Sequence, residues 1–277
     1  MTDMKAPVSV VIPCYLCSDS IERAVVSVIH QTLRPAEVVL VDDASPDGGK
    51  TVRELKRLAS QYSDKISIRL IQLERNSGPG SARNRGWEVV TQPFIAFLDA
   101  DDAWLAQKIE IQYAWMRDHQ DYQLTCHLHE QFRTQEVTLV SAEVHGLDQG
   151  PDLAFTPIKG QTLLYVNAFA TRTVMLQSAL PFRFKEGKRY AEDYLLWLEM
   201  VLSGVRAAKI ERSLAVSFKP DFGAGGLSAN LWKMELGVLD CFRSLHRKRL
   251  IGLTKRVTAT LFSLLKFVRR ALIANQS

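Results

Sequence analysis

Glu37-Val-Val-Leu-Val-Asp-Asp-Ala-Ser-Pro-Asp-Gly48 carries four consecutive apolar residues straight into a loop of acids, serine, proline and glycine. A short apolar run without polar alternation suits a strand covered on both faces, and such strands belong to parallel sheets joined by helices. The same arrangement recurs three times. Val8–Ile12 leads into Pro13-Cys14-Tyr15, Ile68–Leu73 into Asn76-Ser77-Gly78-Pro79-Gly80, and Phe94–Leu98 into Asp99-Ala100-Asp101-Asp102. Helical spacing fills the intervals at about 20–31, 48–62 and 80–90. The pattern predicts an α/β fold with a Rossmann-related, mostly parallel sheet flanked by helices. Its four loops should converge at the carboxyl ends of the strands, where open α/β sheets hold ligands.

Beyond residue 102 the spacing predicts a helix at about 103–118, then extra strands plus a long loop over 120–170. A helix at about 191–203, two short strands around 205–218, a glycine-rich loop Phe222-Gly-Ala-Gly-Gly-Leu227 and helices from about 227 to 273 follow. Among 277 residues, 47% are hydrophobic and 23% charged, which excludes disordered, collagenous and disulfide-scaffold classes. The first residues lack the apolar core of a secretion signal, and no run of about 18 apolar residues offers a membrane span. Four cysteines, Cys14, Cys17, Cys126 and Cys241, are expected as reduced thiols in the cytoplasm. The charge is uneven: residues 241–277 hold nine Lys/Arg and no acid, so the basic character resides in the tail.

Carboxylates two apart on extended chain, as in Asp99 and Asp101, point to one side and can reach a hard divalent cation, although solvated loop acids fit the spacing as well. Asp102 reads as the N-cap of the helix after it. Asp42, in line with its strand, can meet a base or ribose, whereas Asp47 belongs to a turn. Gly78-Pro-Gly-Ser-Ala-Arg83 opens a helix able to hold an anion, but arginine stands where a dinucleotide fingerprint needs its third glycine. Arg83 itself could pair with a phosphate or with neighbouring loop acids. Glu192-Asp193 at a helix start is explained by the helix dipole on this motif alone, and a general base would need one of the pair within hydrogen-bond reach of an acceptor hydroxyl. Cys14-Tyr-Leu-Cys17 lacks the flanks of a redox site and has no second pair for zinc.

Together these segments resemble family 2 glycosyltransferases of the GT-A fold. The carrying residues are Val8–Tyr15, Ser27–Thr32, Glu37–Gly48, Gly80–Asn84, Phe97–Asp102 and Glu192-Asp193, in that order, over roughly residues 6–230. The resemblance implies a catalytic domain over 1–230, with a nucleotide-binding half to residue 102 and an acceptor-binding half over 103–230. It implies that Pro13, Tyr15, Asp42 and Asp43 contact the base and ribose of a nucleotide sugar, a UDP-sugar foremost. Asp99 and Asp101 would hold Mn²⁺ or Mg²⁺ against the diphosphate, Arg83 and Lys219 would border it, and Asp193 would deprotonate the acceptor hydroxyl. No Gln/Arg-x-x-Arg-Trp motif follows Glu192-Asp193, which sets the chain apart from the processive synthases of the family. The implied activity is inverting transfer of one sugar to a lipid-linked glycan acceptor in surface polysaccharide biosynthesis. A metal-dependent nucleotidyltransferase and a non-catalytic nucleotide-sugar or membrane module are the alternatives.

The extension over 231–277 adds a further expectation. From Thr254 to Ile273 a helical wheel gathers Lys255, Arg256, Ser263, Lys266, Arg269 and Arg270 on one side. Val257, Leu261, Leu264, Leu265, Val268 and Leu272 fall opposite. Peripheral contact with the inner face of the membrane and docking on protein both fit. Nucleic acid does not, because no aromatic residues interleave with the basic ones in a binding motif.

Overall fold

The computed structural model describes residues 5–131, 154–218 and 230–274, and its described residues build a nine-stranded mixed sheet. The covered runs are β1 (Ala6–Cys14), β2 (Pro35–Asp42), β3 (Ser67–Gln72) and β4 (Phe94–Phe97), parallel in the order β3-β2-β1-β4. They are linked by α1 (Ile21–Ile29), α2 (Lys50–Gln61) and α3 (Pro79–Val89). Alternate residues of β2 explain the lack of polar alternation. Val38 and Leu40 enter the core beneath α1 and α2, while Val39 and Val41 enter the core beneath α3. At Gly86, α3 lies so close to β1 that a Cβ would run into the Val11 side chain.

The other half of the sheet is mixed. β8 (Met175–Gln177) runs antiparallel to β4, β6 (Leu124–Gln131) antiparallel to β8, and β9 (Ala207–Ser217) parallel to β6. β5 (Asp102–Trp104) and β7 (Phe155–Ile158) both pair antiparallel with β9. Two expectations change here. The helix predicted from residue 103 starts only at α4 (Lys108–Asp118), and residues 207–217 form one strand where two were expected. Asp102 therefore pairs across the sheet with Ser217 and caps no helix. Burial decides it, since Ala103 and Trp104 are fully covered once the segment joins β9. Gln31 then marks the new helix start: its Oε1 accepts from the Ile109 N–H at 2.9 Å and its Nε2 donates to the Leu105 carbonyl at 2.9 Å.

The helices α5 (Gly160–Leu163) and α6 (Glu192–Leu202) cover the side of the sheet that carries α3. Trp197 of α6 is fully buried among Phe97, Phe169 and Phe184. The extension forms α7 (Leu231–Arg247) and α8 (Leu253–Ala274). Cys241, Phe242 and Leu245 sink α7 into the same core as α6, and a Cβ on Gly237 would stand 2.7 Å from the Tyr190 carbonyl oxygen. The helix thus lies flush against the entry to α6. Among the described residues, no helix is long and apolar enough to cross a membrane. Lys219 and the glycine-rich loop Phe222–Leu227 lie outside the described residues.

Candidate active site

A cavity of about 580 Å³ opens where the loops after β1, β2 and β4 meet the start of α3 and the start of α6. Its walls include Pro13, Tyr15, Asp43, Arg83, Asp99, Asp101 and Asp193. Tyr15 stands at the rim, 45% exposed. Asp43 braces the opposite loop, its two carboxylate oxygens accepting from the Ser77 and Gly78 N–H groups at 2.8 Å each. Burial raises its pKa against those two bonds. Asp42 is placed differently from its neighbour. It is buried behind the wall and its Oδ1 accepts from the Ser45 hydroxyl at 2.6 Å, while Ser45 Oγ accepts from the Leu16 N–H at 3.0 Å. Asp42 therefore joins the β1 and β2 loops through Ser45.

Arg83 occupies the centre. Its side chain is 6% exposed, with Nη2 donating to Asp99 Oδ1 at 2.6 Å and Nη1 to Glu192 Oε1 at 3.1 Å. Of the two pairings open to it in the sequence, the acids hold it here. Their charge overcomes the desolvation of the guanidinium and raises its pKa. The arginine spans from the end of β4 to the first residue of α6, so it spaces Asp99 and the Glu192-Asp193 pair across the cavity. Ala191, in the left-handed region at φ 53°, turns the chain so that Glu192 and Asp193 both line the wall.

Asp193 is held by two bonds. Thr171 Oγ1 donates to its Oδ2 at 2.9 Å and the Tyr194 N–H to its Oδ1 at 2.7 Å. Arg172, the next residue in the 3-10 turn Thr171–Thr173, reaches Asp102 Oδ2 at 3.4 Å. Thr171, Arg172 and Arg189 were not singled out in the sequence, and Glu192 was read there only as one of the Glu192-Asp193 pair, without its bond to Arg83. Burial pushes Asp102 up to about 7, with Arg172 opposing and Asp99 and Asp101 adding to the rise. Burial likewise pushes Glu192 up to about 7, with Asp193 adding and Arg83 opposing.

Acids crowd this end of the cavity, and their oxygens are the hard donors that Mg²⁺ and Mn²⁺ prefer. Among the described residues, no three His, Cys, Asp or Glu side chains are grouped to hold a metal. Asp99 and Asp101 both face the cavity, with Asp99 still 27% exposed beside its bond to Arg83. Two carboxylates fit an ion whose remaining positions are filled by phosphate oxygens and water.

Glu192 also makes a pH prediction. The folded protein keeps the Glu192 proton to about pH 7, whereas a free glutamate loses it near 4.5, so stability from this group falls as pH rises between those values. Glu192→Gln is expected to flatten the decline in Tm over that window, leaving a residual slope of the same sign from Asp102. Thermal melts across the window check this, and an unchanged slope would mean that Glu192 keeps an ordinary pKa.

Comparison with known proteins places this geometry. The model of the family "Glycosyl transferase family 2" matches residues 9–169. Bacillus subtilis (strain 168) TuaG, named for teichuronic acid biosynthesis, is 28% identical over 253 residues, covering 89% of this chain and 91% of its own. Escherichia coli WfaP, a UDP-Glc:α-D-GlcNAc-diphosphoundecaprenol β-1,3-glucosyltransferase, is 27% identical, covering 82% of this chain and 81% of its own. The Staphylococcus aureus TarS 1–349 structure in complex with UDP-GlcNAc superposes with a TM-score of 0.67 at 20% identity, over 94% of this chain and 72% of that one. The mixed sheet is thus that of GT-A glycosyltransferases. A family match across more than half of the chain, on the fold and loops just described, makes this protein a glycosyltransferase belonging to family 2.

Proposed function

We propose that the protein transfers a single sugar, with inversion, from a nucleoside-diphosphate sugar to a hydroxyl of a lipid-linked glycan at the cytosolic face of the membrane, in surface polysaccharide biosynthesis. One observation carries the reading: Arg83, bonded to Asp99 and Glu192, separates a pair of acids suited to a cation from an acid suited to act as a base. The names of the relatives agree with it, since WfaP acts from UDP-Glc on a diphosphoundecaprenol acceptor and TarS is seen with UDP-GlcNAc. A UDP-sugar is therefore the first donor to test.

In this reading Asp193 takes the proton of the acceptor hydroxyl as that oxygen attacks the anomeric carbon, and the Thr171 hydroxyl and Tyr194 N–H hold its carboxylate in place. Attack from the side opposite the leaving group needs no covalent intermediate, so one base suffices. Asp99 and Asp101 would hold Mn²⁺ or Mg²⁺, which when bound offsets charge on the departing diphosphate. Arg172 and Arg189 line the same cavity and offer guanidinium donors to phosphate oxygens. Pro13, Tyr15 and Asp43 border the space for base and ribose, and Asp42 acts there through the Ser45 bridge.

The test is nucleoside-diphosphate release over a panel of UDP-, GDP- and dTDP-sugars with Mn²⁺ or Mg²⁺, with and without a membrane extract as acceptor. Release from one donor, raised by the extract and stopped by EDTA, is expected, with the product anomer inverted by NMR. Pyrophosphate release would replace the reading with nucleotidyl transfer, and retained anomeric configuration would remove Asp193 as a lone base.

A further inference from the structure

The helix α8 turns its apolar side away from the protein. Its inner side is short and polar: Ala259 and Ser263 are buried, Ser263 Oγ donates to Glu235 Oε1 at 2.7 Å, and Arg270 Nη2 donates to Glu235 Oε2 at 2.9 Å. On the opposite side Leu253, Val257, Leu261, Leu265, Val268 and Leu272 recur every third or fourth residue and are 46–70% exposed. Trp232 of α7 is 56% exposed and its ring meets Phe267 at 5.4 Å, which extends the apolar surface onto the neighbouring helix. A contiguous stripe of this length on one side of a helix marks an interaction surface.

Charge selects the partner. The acids of α7 are both paired within the protein, the buried Glu235 with Ser263 and Arg270, and the part-exposed Asp240 with Lys188 and Lys185. From residue 241 onward the chain has nine Lys/Arg and no acid, and Lys255 and Arg269 stand exposed beside the stripe. A second copy that packed its α8 against this one would bring two cationic helices together, since neither supplies an acid. An anionic bilayer supplies an apolar interior and a negative surface at the depth each side chain needs. The geometry points to α8 as a helix that lies flat on an anionic membrane with the Leu253–Leu272 stripe inserted and its basic flank on the headgroups.

The placement bears on the reaction. Met234 of α7 and Asp193 line the same cavity, so the helix that carries α8 also reaches the cavity wall, and a lipid-linked acceptor would approach that cavity along the bilayer plane. That last step rests on the proposed function, whereas membrane binding itself does not.

Co-sedimentation of the full chain with vesicles of phosphatidylcholine alone, or of phosphatidylcholine mixed with phosphatidylglycerol, tests it. Binding to the mixed vesicles is expected to be at least about tenfold tighter than to phosphatidylcholine and to weaken with salt. The pair Leu261→Asp with Leu265→Asp is expected to lose at least about tenfold in partitioning. Lys255→Glu with Arg269→Glu, which leaves the stripe intact, should remove the preference for the anionic lipid. Circular-dichroism melts confirm that each variant is folded, and the charge pair alone decides the matter if the aspartate pair is not. Equal partitioning of both variants and the parent overturns the proposal. So does a dimer, seen by light scattering, that the aspartate pair splits without any vesicle binding. Nucleoside-diphosphate release measured on the same samples without lipid separates a failed enzyme reading from a failed membrane surface.

Discussion

Asp193→Asn is expected to lower kcat by about 10²–10⁴-fold while donor affinity stays within about twofold, because a general base acts on the transition state and adds little to ground-state binding. In barrier terms that is about 3–5 kcal/mol. Asparagine keeps the shape of the side chain and an oxygen for the Thr171 hydroxyl but turns its NH2 toward the Tyr194 N–H, so the loss combines the missing proton acceptor with one lost positioning bond. The rival for the role is its neighbour. Glu192, pushed up to about 7, has a pKa well matched to a base near neutrality, but geometry comes before pKa. Its carboxylate is spent on Arg83 and is 9% exposed, while Asp193 stands in the cavity on a partly open side chain. Steady-state kinetics on Asp193→Asn and Glu192→Gln, with donor affinity from titration calorimetry, separate the two. Loss of kcat in the glutamine variant with an unimpaired asparagine variant would transfer the role to Glu192. Thr171→Val serves as a check on positioning: it should lower kcat less than Asp193→Asn and leave donor affinity unchanged.

The parallel half of the sheet was legible because β1, β2 and β4 are covered on both faces and read as unbroken apolar runs, each ending in a loop with its own chemistry. Convergence of those loops follows from the strand order alone. Ala103-Trp104-Leu105 was not legible, since the same residues start a helix or pair with a strand, and the choice lies with β9 more than a hundred residues later. Thr171 and Arg172 carry no local signal. They matter because a 3-10 turn brings them to Asp193 and Asp102, contacts across 22 and 70 residues. For α8 the wheel separated basic from apolar sides correctly, but a wheel does not say which side faces the protein. The polar side faces inward here because Glu235, fully buried on α7, waits there for Ser263 and Arg270.

Arg83→Met should be strongly destabilising. The guanidinium is nearly buried and is the direct partner of both Asp99 and Glu192, so removing it leaves the buried Glu192 carboxyl, and the part-exposed Asp99, without their cation. Breaking a buried pair in this way costs about 3–5 kcal/mol, which in a chain of this size lowers Tm on the order of 10 °C. Methionine retains most of the volume, so the fall measures charge and hydrogen bonding and owes little to a cavity. Lysine keeps the charge but cannot present two donors in a fork, and Arg83→Lys is expected to fall between the two. The loss has a pH signature. Arg83 is what opposes the rise of the Glu192 pKa, so in the methionine variant Glu192 should hold its proton to still higher pH. An acid with a raised folded pKa destabilises most when ionised, so the variant should lose more stability above neutrality than below it. Glu192→Gln in the same background removes the charge that Glu192 carries there above neutrality and should recover part of the Tm at the higher pH, a non-additivity that a double-mutant cycle reads directly. Thermal melts of the four proteins at two pH values suffice, and a methionine variant within about 2 °C of the parent would show that the Asp99 and Glu192 pairs do not hold the wall together.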